Sequence, residues 1–259
     1  MRKIFVLFFS FIALTAAAID PPIGWVRGDA NGDGRVTLAD VTWLVMQMNW
    51  KGEHLIYMND MDEDNRLTHG DVQFVVDVLL NRHEAVDLGL SVCWATMNIG
   101  ATSAEAFGDY FAWGETQPKT SYTEENYLYC ANGAFQSIGN SIGGTKYDVA
   151  TALWGDGWRL PTLIDINELK TKCTWTAVTR YGVKAYKVTG PNGNSIYLPL
   201  SGYRTGTSKV GVGDSFYYWS SMKPSTASAA YCLYSQNYTG NWSANRAYGF
   251  PVRPVRSKK

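Results

Sequence analysis

The feature that most constrains this 259-residue chain is a repeat: two twelve-residue segments, beginning at Asp29 and Asp60, match position by position. Both copies carry carboxylates or a side-chain amide at positions 1, 3 and 5 and Asp at position 12, and such oxygens are the ligands that Ca²⁺ prefers. At position 7 the backbone carbonyl serves as the ligand. The predicted ligands are Asp29, Asn31, Asp33, Arg35 through its carbonyl and Asp40, then Asp60, Asp62, Asp64, Arg66 through its carbonyl and Asp71. The alternative is a pair of solvated acidic loops.

Each loop is followed by one amphipathic helix. Apolar residues recur at the i, i+3, i+4 and i+7 spacing of a single helix face. They are Val41, Leu44, Val45 and Met48 after the first loop, then Val72, Val75, Val76 and Leu79 after the second. Pro21, Pro22 and Gly24 leave no room for a helix entering the first loop. The unit is therefore a loop followed by a helix, present twice.

A duplicated loop–helix unit with Asp rather than Glu at position 12 resembles the type I dockerin module of secreted polysaccharide-degrading systems. The resemblance covers about residues 25–83. It implies a small all-α module that binds two Ca²⁺ ions through the ligands named above. It also implies that the helix faces bind a cohesin-like or other protein partner.

The first eighteen residues have the pattern of a secretory signal peptide. Arg2 and Lys3 precede an apolar run over residues 4–14, and small residues follow it up to Ala18. We expect cleavage near Ala18 and a mature chain that is secreted, periplasmic or held at the cell surface. An uncleaved anchor helix is the alternative. No later segment has the length and apolar character of a transmembrane anchor.

Composition excludes some partners. Lys+Arg and Asp+Glu are both 23, so the formal net charge is zero, and a nucleic-acid-binding protein would carry a basic excess. No C-x-x-C pair occurs, which argues against a zinc site or a redox centre. The four cysteines, Cys93, Cys130, Cys173 and Cys232, are either free thiols or disulfides of unassigned pairing.

From residue 84 onward the helical period gives way to short apolar runs separated by turn residues, which predicts an α+β domain. One helix is expected there, capped by Thr162 with Asp165 as its capping-box partner and extending to about Lys172. A hairpin is expected over residues 186–198. Further strands are predicted over residues 216–221, 229–235 and 248–255.

Several segments of this second domain resemble the Fibrobacter succinogenes major paralogous domain, common in secreted Bacteroidetes proteins. They are VDLGLSVCWATMNIGA at 86–101, GDYFAWGE at 108–115, WRLPT at 158–162, YWSS at 218–221 and GFPVRPV at 249–255. The resemblance spans about residues 84–256 and implies a fold similar to C-type-lectin-like domains. The fold class predicted for the whole chain is thus multidomain, an all-α calcium module followed by an α+β domain.

Catalysis in the second domain is limited by its residue types. All three histidines precede residue 84, so Ser-His or Cys-His nucleophilic catalysis is excluded there. A glycosidase needs only two carboxylates, and the candidates are Asp109, Glu115, Asp156 and Glu168. These acids are expected to be surface, capping or turn residues. The domain is therefore predicted to be noncatalytic, with a carbohydrate-active hydrolase as the alternative.

Aromatic side chains provide the candidate ligand-binding site. Tyr238 and Trp242 lie in a polar segment, which predicts a loop with exposed rings. Exposed rings stack on sugar faces or anchor protein contacts. The sequence therefore favours a secreted binding protein linked to extracellular polysaccharide binding or breakdown, and a structural cell-surface assembly protein is a further alternative.

Overall fold

The computed structural model describes residues 29–32, 36–49, 66–79, 83–155, 157–235 and 242–258. Helices α1 (Leu38–Asn49) and α2 (His69–Leu79) lie in the first part of the chain. From residue 83 onward, short antiparallel strands dominate, together with helices α3 (Val149–Trp154) and α4 (Leu163–Lys172). No helix among the described residues is both long enough and apolar enough to cross a membrane.

Helices α1 and α2 begin at position 10 of the two predicted loops and pack against each other. Among the described residues of this part, Ala30, Leu44 and Val75 are buried together between them. The apolar face of α1 is narrower than predicted, because Leu44 is fully buried whereas the adjacent Val45 is 44% exposed.

Thirteen strands are described after residue 83. They are β1 (Ala85–Asp87), β2 (Val92–Ala95), β3 (Cys130–Ala131), β4 (Ala134–Phe135), β5 (Thr174–Arg180), β6 (Val183–Thr189), β7 (Ser195–Pro199), β8 (Ser201–Thr205), β9 (Ser208–Val212), β10 (Tyr217–Trp219), β11 (Ala229–Tyr234), β12 (Trp242–Asn245) and β13 (Val255–Ser257). They form sheets of strand order β1-β2-β13, β5-β6-β7 and β10-β11-β12 and the pairs β3-β4 and β8-β9.

The predicted capped helix is confirmed as α4. The Thr162 hydroxyl accepts a hydrogen bond from the Asp165 N–H at 3.2 Å, and the Asp165 carboxylate accepts one from the Thr162 N–H at 2.7 Å. This reciprocal capping box satisfies backbone donors that the first helical turn leaves unpaired. The helix ends at Lys172, as the sequence predicted. The hairpin is confirmed as β6 and β7, whose register pairs Thr189 with Ser195.

The sheet β10-β11-β12 lies between two hydrophobic cores. Tyr218 and its cross-strand partner Leu233 point into one core, whereas Trp219 and its partner Cys232 point into the other. This is the expected alternation of side chains along a strand. Both faces of the sheet are therefore covered near its centre, and exposed rings occur only toward its edge.

Two strand predictions are wrong. Residues 248–255 were expected to form one strand, but of these only Val255 lies in a strand, β13. Gly249 and Phe250 form only isolated bridges to other segments. Trp242 was expected in a loop but lies in β12, where it pairs with Cys232 of β11. A polar sequence became a strand here because a neighbouring strand supplies the backbone partners. Membership of a C-type-lectin-like fold family and the domain division at residue 84 stay predictions.

A buried arginine joins distant parts of the second domain. Arg253 is 1% exposed, and its guanidinium donates hydrogen bonds to the carbonyls of Ala95, Thr96 and Tyr197 and to the side-chain oxygen of Asn98. Carbonyl partners satisfy a charged group without a second charge. The strands that carry Ala95 and Tyr197 are thereby fixed relative to each other.

The four cysteines are free thiols. Cys232, in β11, is buried, and the other three are partly exposed. The sequence left free thiols and disulfides as alternatives, and the structure shows free thiols.

Candidate calcium loops and ligand-binding surface

The end of the first loop is organised by Asp40, at position 12. This carboxylate is fully buried and accepts hydrogen bonds from the N–H of Asn31 at 3.2 Å and of Thr37 at 2.7 Å. Asp29, at position 1, is 2% exposed and accepts a hydrogen bond from the Gly32 N–H at 2.9 Å. These contacts bring loop positions 1, 3 and 12 into one compact turn.

The second repeat has the same arrangement where the structure describes it. The Asp71 carboxylate is fully buried and accepts a hydrogen bond from the Thr68 N–H at 2.7 Å, as Asp40 does from Thr37. The Thr68 hydroxyl accepts a hydrogen bond from the Gly70 N–H at 3.0 Å, and the Thr37 hydroxyl accepts the equivalent bond from the Ala39 N–H in the first repeat. The sequence repeat is thus also a repeat of local structure.

The described ligand candidates suit a hard cation in their chemistry. Asp29, Asn31 and Asp40 carry side-chain oxygens, which are the ligands that Ca²⁺ prefers. Burying ionised carboxylates is costly unless a cation or hydrogen bonds compensate. The residues present therefore fit Ca²⁺.

Half of the predicted ligand set lies outside the described residues. These members are Asp33, Arg35, Asp60, Asp62 and Asp64. Arg66 is described and exposed, as expected for a residue that contributes only its carbonyl. Within the described ranges, no three Asp, Glu, His or Cys side chains are grouped closely enough to hold a metal ion. The complete metal site stays a prediction.

The exposed ring of Trp242 lies at the end of a row of aromatic side chains. Trp242 is 44% exposed, and its ring is 5.4 Å from that of Tyr234. Tyr234 stacks on Tyr217 at 4.5 Å with the two planes 18° apart, and Tyr217 contacts Tyr203 at 4.9 Å. We call these four residues the aromatic row. Because Tyr234 supports the indole from one side, the exposed part of Trp242 is held in place.

Within the aromatic row, the phenol of Tyr217 stays neutral. Burial raises its pKa, and a hydrogen bond with Tyr234 raises the pKa further. Tyr217 therefore adds no charge to the aromatic row.

Two polar residues that follow Trp242 in the sequence have other surroundings. Ser243 is the next residue of the strand and points to the opposite face of the sheet, so it does not border the Trp242 ring. Asn245 already donates to the Glu124 carboxylate at 2.6 Å and accepts from the Ala247 N–H at 2.9 Å. Tyr238, the second predicted ligand residue, lies outside the described residues.

The candidate glycosidase acids have other partners. Glu115 is 4% exposed, pairs with Lys119 at 2.9 Å and accepts a hydrogen bond from the Leu128 N–H at 2.9 Å. Burial alone would raise the pKa of Glu168, but hydrogen bonds from Lys172 and Ser91 outweigh it and lower this pKa to about 2. A carboxyl held ionised in this way does not serve as the general acid of a glycosidase.

The other two candidate acids are Asp109 and Asp156. Asp109 is exposed, and partial burial of its carboxyl raises its pKa. Asp156 lies outside the described residues.

The sequence did not reveal Tyr203 as a member of the aromatic row. It lies in β8, a strand for which no prediction was made, and reaches Tyr217 of β10 across a break between sheets. A run of alternating residues before a Gly-containing turn is a signal that would have placed β8 and β9.

Comparisons of this chain with protein-family models, with curated proteins and with solved structures found no match. The resemblances to dockerin modules and to the Fibrobacter succinogenes major paralogous domain therefore depend on the sequence motifs alone.

Proposed function

We propose that this chain is a secreted, noncatalytic binding protein with two parts. A calcium-binding loop–helix module attaches it to a protein partner, and a β-rich domain recognises extracellular polysaccharide. The observation that carries the recognition role is the supported, partly exposed indole of Trp242. A fixed aromatic face binds the apolar face of a sugar ring with little loss of conformational entropy.

The calcium role is supported by the matched ends of the two loops. Buried carboxylates at position 12 of both repeats bond to the same backbone position, three residues earlier. Two Ca²⁺ ions would relieve the repulsion among the carboxylates of each loop and stabilise two helices that share a small core.

The protein-binding role is supported by exposed apolar side chains on α1. Leu38 is 73% exposed, Met46 is 60% exposed and Trp43 is 40% exposed. A small module that exposes several large apolar residues on one short helix has the character of an interaction surface. A structural assembly protein, which would bind a partner but no glycan, is the second candidate function.

Binding assays on the full mature chain separate these functions. A panel of insoluble and soluble polysaccharides is tested for retention, with Ca²⁺ and with excess chelator, and the supernatant is assayed for released sugar. Retention without sugar release supports the proposal. Released sugar that disappears when a carboxylate is neutralised supports the hydrolase, and no retention on any polysaccharide supports the assembly protein.

A further inference from the structure

A cavity of about 300 Å³ lies between α2 and the β-rich second domain. Phe74 of α2 forms one wall, and Val86 of β1 and Ile196 of β7 belong to the walls that the second domain supplies. Only residues 80–84 separate α2 from β1 along the chain. A connection this short keeps the two surfaces close at a small cost in loop-closure entropy. The cavity therefore marks the junction between the loop–helix module and the second domain.

Phe74 borders both sides of this junction. Within the loop–helix module, the half-buried Phe74 packs against the buried group that contains Leu44 and Val75. Across the cavity, Val86 packs against the hydrophobic core of the second domain, and Ile196, which is 2% exposed, is part of that core. Two apolar cores thus approach each other at one side chain, with the cavity between them.

The equivalent ring of the first repeat has different surroundings. The repeat, offset by 31 residues, places Trp43 of α1 at the position of Phe74. Trp43 is 40% exposed and is not among the residues that line the cavity. Val45 of α1 is likewise 44% exposed, whereas its equivalent, Val76 of α2, is half-buried. The two helices match in sequence, but α2 is the one that lies beside the second domain.

The position of Phe74 depends on the loop that precedes α2. Asp71, at position 12 of that loop, is a predicted Ca²⁺ ligand and is fully buried in the first turn of α2. Phe74 follows it by three residues, so the two side chains are neighbours on the helix surface. Protein interiors are normally close-packed, and the unfilled cavity means that packing alone does not fix the ring. A cation that held Asp71 would also hold the turn that carries Phe74.

From these observations we infer that Ca²⁺ binding at the second loop is coupled through Phe74 to the order of the second domain. Metal at Asp71 holds the start of α2 and keeps the Phe74 ring beside Val86 and Ile196, and this packing in turn favours the metal-bound loop. Such a coupling is reciprocal, so each event stabilises the other by the same free energy. The inference rests on the calcium role proposed above and adds a connection that the first loop does not make.

The test uses the full mature chain, with Ca²⁺ alone as the added ligand. Amide hydrogen exchange is followed by mass spectrometry, in Ca²⁺ and in excess chelator, for peptides from β1, β7 and β11. Strands β1 and β7 border the cavity, and β11 contributes none of its lining. We expect Ca²⁺ to slow exchange in β1 and β7 about fivefold, the lower end of the range for coupled sites, and to leave β11 unchanged. Bound Ca²⁺ without slower exchange in β1 and β7, or with equal slowing in β11, would overturn the inference.

Phe74→Ala removes the side chain that joins the two parts. We expect the Ca²⁺ response of β1 and β7 to disappear and calorimetry to show the second ion bound about fivefold more weakly, because the coupling is reciprocal. The matched control is Val45→Ala, which removes an exposed apolar side chain from α1 and should preserve both quantities. A full response in Phe74→Ala, or an equal loss in Val45→Ala, would contradict the inference.

Val86→Ala tests the junction from the other side and decides the question if Phe74→Ala no longer gains helical signal with Ca²⁺. Val86 lies outside the loop–helix module, so two ions should still bind and the helical signal should still rise. We expect the response of β7 to be lost, and a response of unchanged size would refute the coupling. If the unchanged chain binds no Ca²⁺, the proposed calcium role fails together with this inference. If two ions bind and β1 and β7 do not respond, the coupling alone is wrong.

Discussion

Replacing Trp242 by Ala tests whether this ring is a binding residue or part of the core. Deletion of a fully buried Trp side chain costs about 3–5 kcal/mol of unfolding free energy. Trp242 is 44% exposed and lies in an edge strand, so its removal opens a surface notch and not a closed cavity. We therefore expect a loss of only about 1–2 kcal/mol.

The matched control is Trp219→Ala, in the same sheet. Trp219 is 1% exposed, its ring stacks on Phe250 at 4.0 Å, and its indole N–H donates to the Phe111 carbonyl at 2.7 Å. Its removal leaves both a cavity and an unpaired carbonyl, so the expected loss is about 4 kcal/mol or more.

Denaturant unfolding and polysaccharide binding are measured on both variants and on the unchanged chain. If Trp242 is the stacking residue, Trp242→Ala keeps a near-native midpoint while its affinity falls about 30-fold, equivalent to ~2 kcal/mol. A loss of 3 kcal/mol or more in stability would place Trp242 in the core. Unchanged affinity in a folded Trp242→Ala protein would remove the basis of the proposed recognition role.

Three further outcomes are expected. Calorimetry should detect two Ca²⁺ ions bound per chain and a gain of helical signal on binding, and both should be absent from the variant carrying Asp29→Ala and Asp60→Ala; full helicity in excess chelator would contradict this. Burial lowers the pKa of His83 from 6.5 to about 4 where its ring stacks on Trp154, so on acidification the unfolded chain takes up this proton before the folded protein does. The free energy of unfolding should therefore fall as the pH drops from 6.5 toward 4 in the unchanged chain, and acid unfolding should show no such fall in His83→Phe. Burial also raises the pKa of the Cys232 thiol, so in the native protein at pH 8 alkylation followed by mass spectrometry should find it the slowest of the four cysteines, and faster labelling would show that its strand opens.

The sequence predicted those features whose partners lie close along the chain. The capping box of Thr162 and Asp165 joins residues three apart, and the hairpin of β6 and β7 joins neighbouring strands, so local patterns were sufficient. The loop ends at Asp40 and Asp71 follow the same rule, because their hydrogen bonds with Thr37 and Thr68 reach three residues back and that of Asp40 with Asn31 reaches nine.

Contacts between residues that lie far apart along the chain were not predicted from the sequence. Trp242 occupies a strand because β11 pairs with it, and the polar residues around it give no sign of this pairing. The Arg180–Glu105 pair joins segments 75 residues apart along the chain. A single sequence carries no local signal for such contacts, since either residue is equally compatible with a solvated surface.

The position of β2 between β1 and β13 determines when this domain can finish folding. Strand β2 pairs with β13, and Arg253 bonds to the segment at β2 across 155 to 158 residues of chain. Contacts of such long sequence separation require the loop-closure entropy to be overcome before they contribute stability, and they slow folding. During synthesis, one wall of the domain therefore stays incomplete until residues 253–257 have been made.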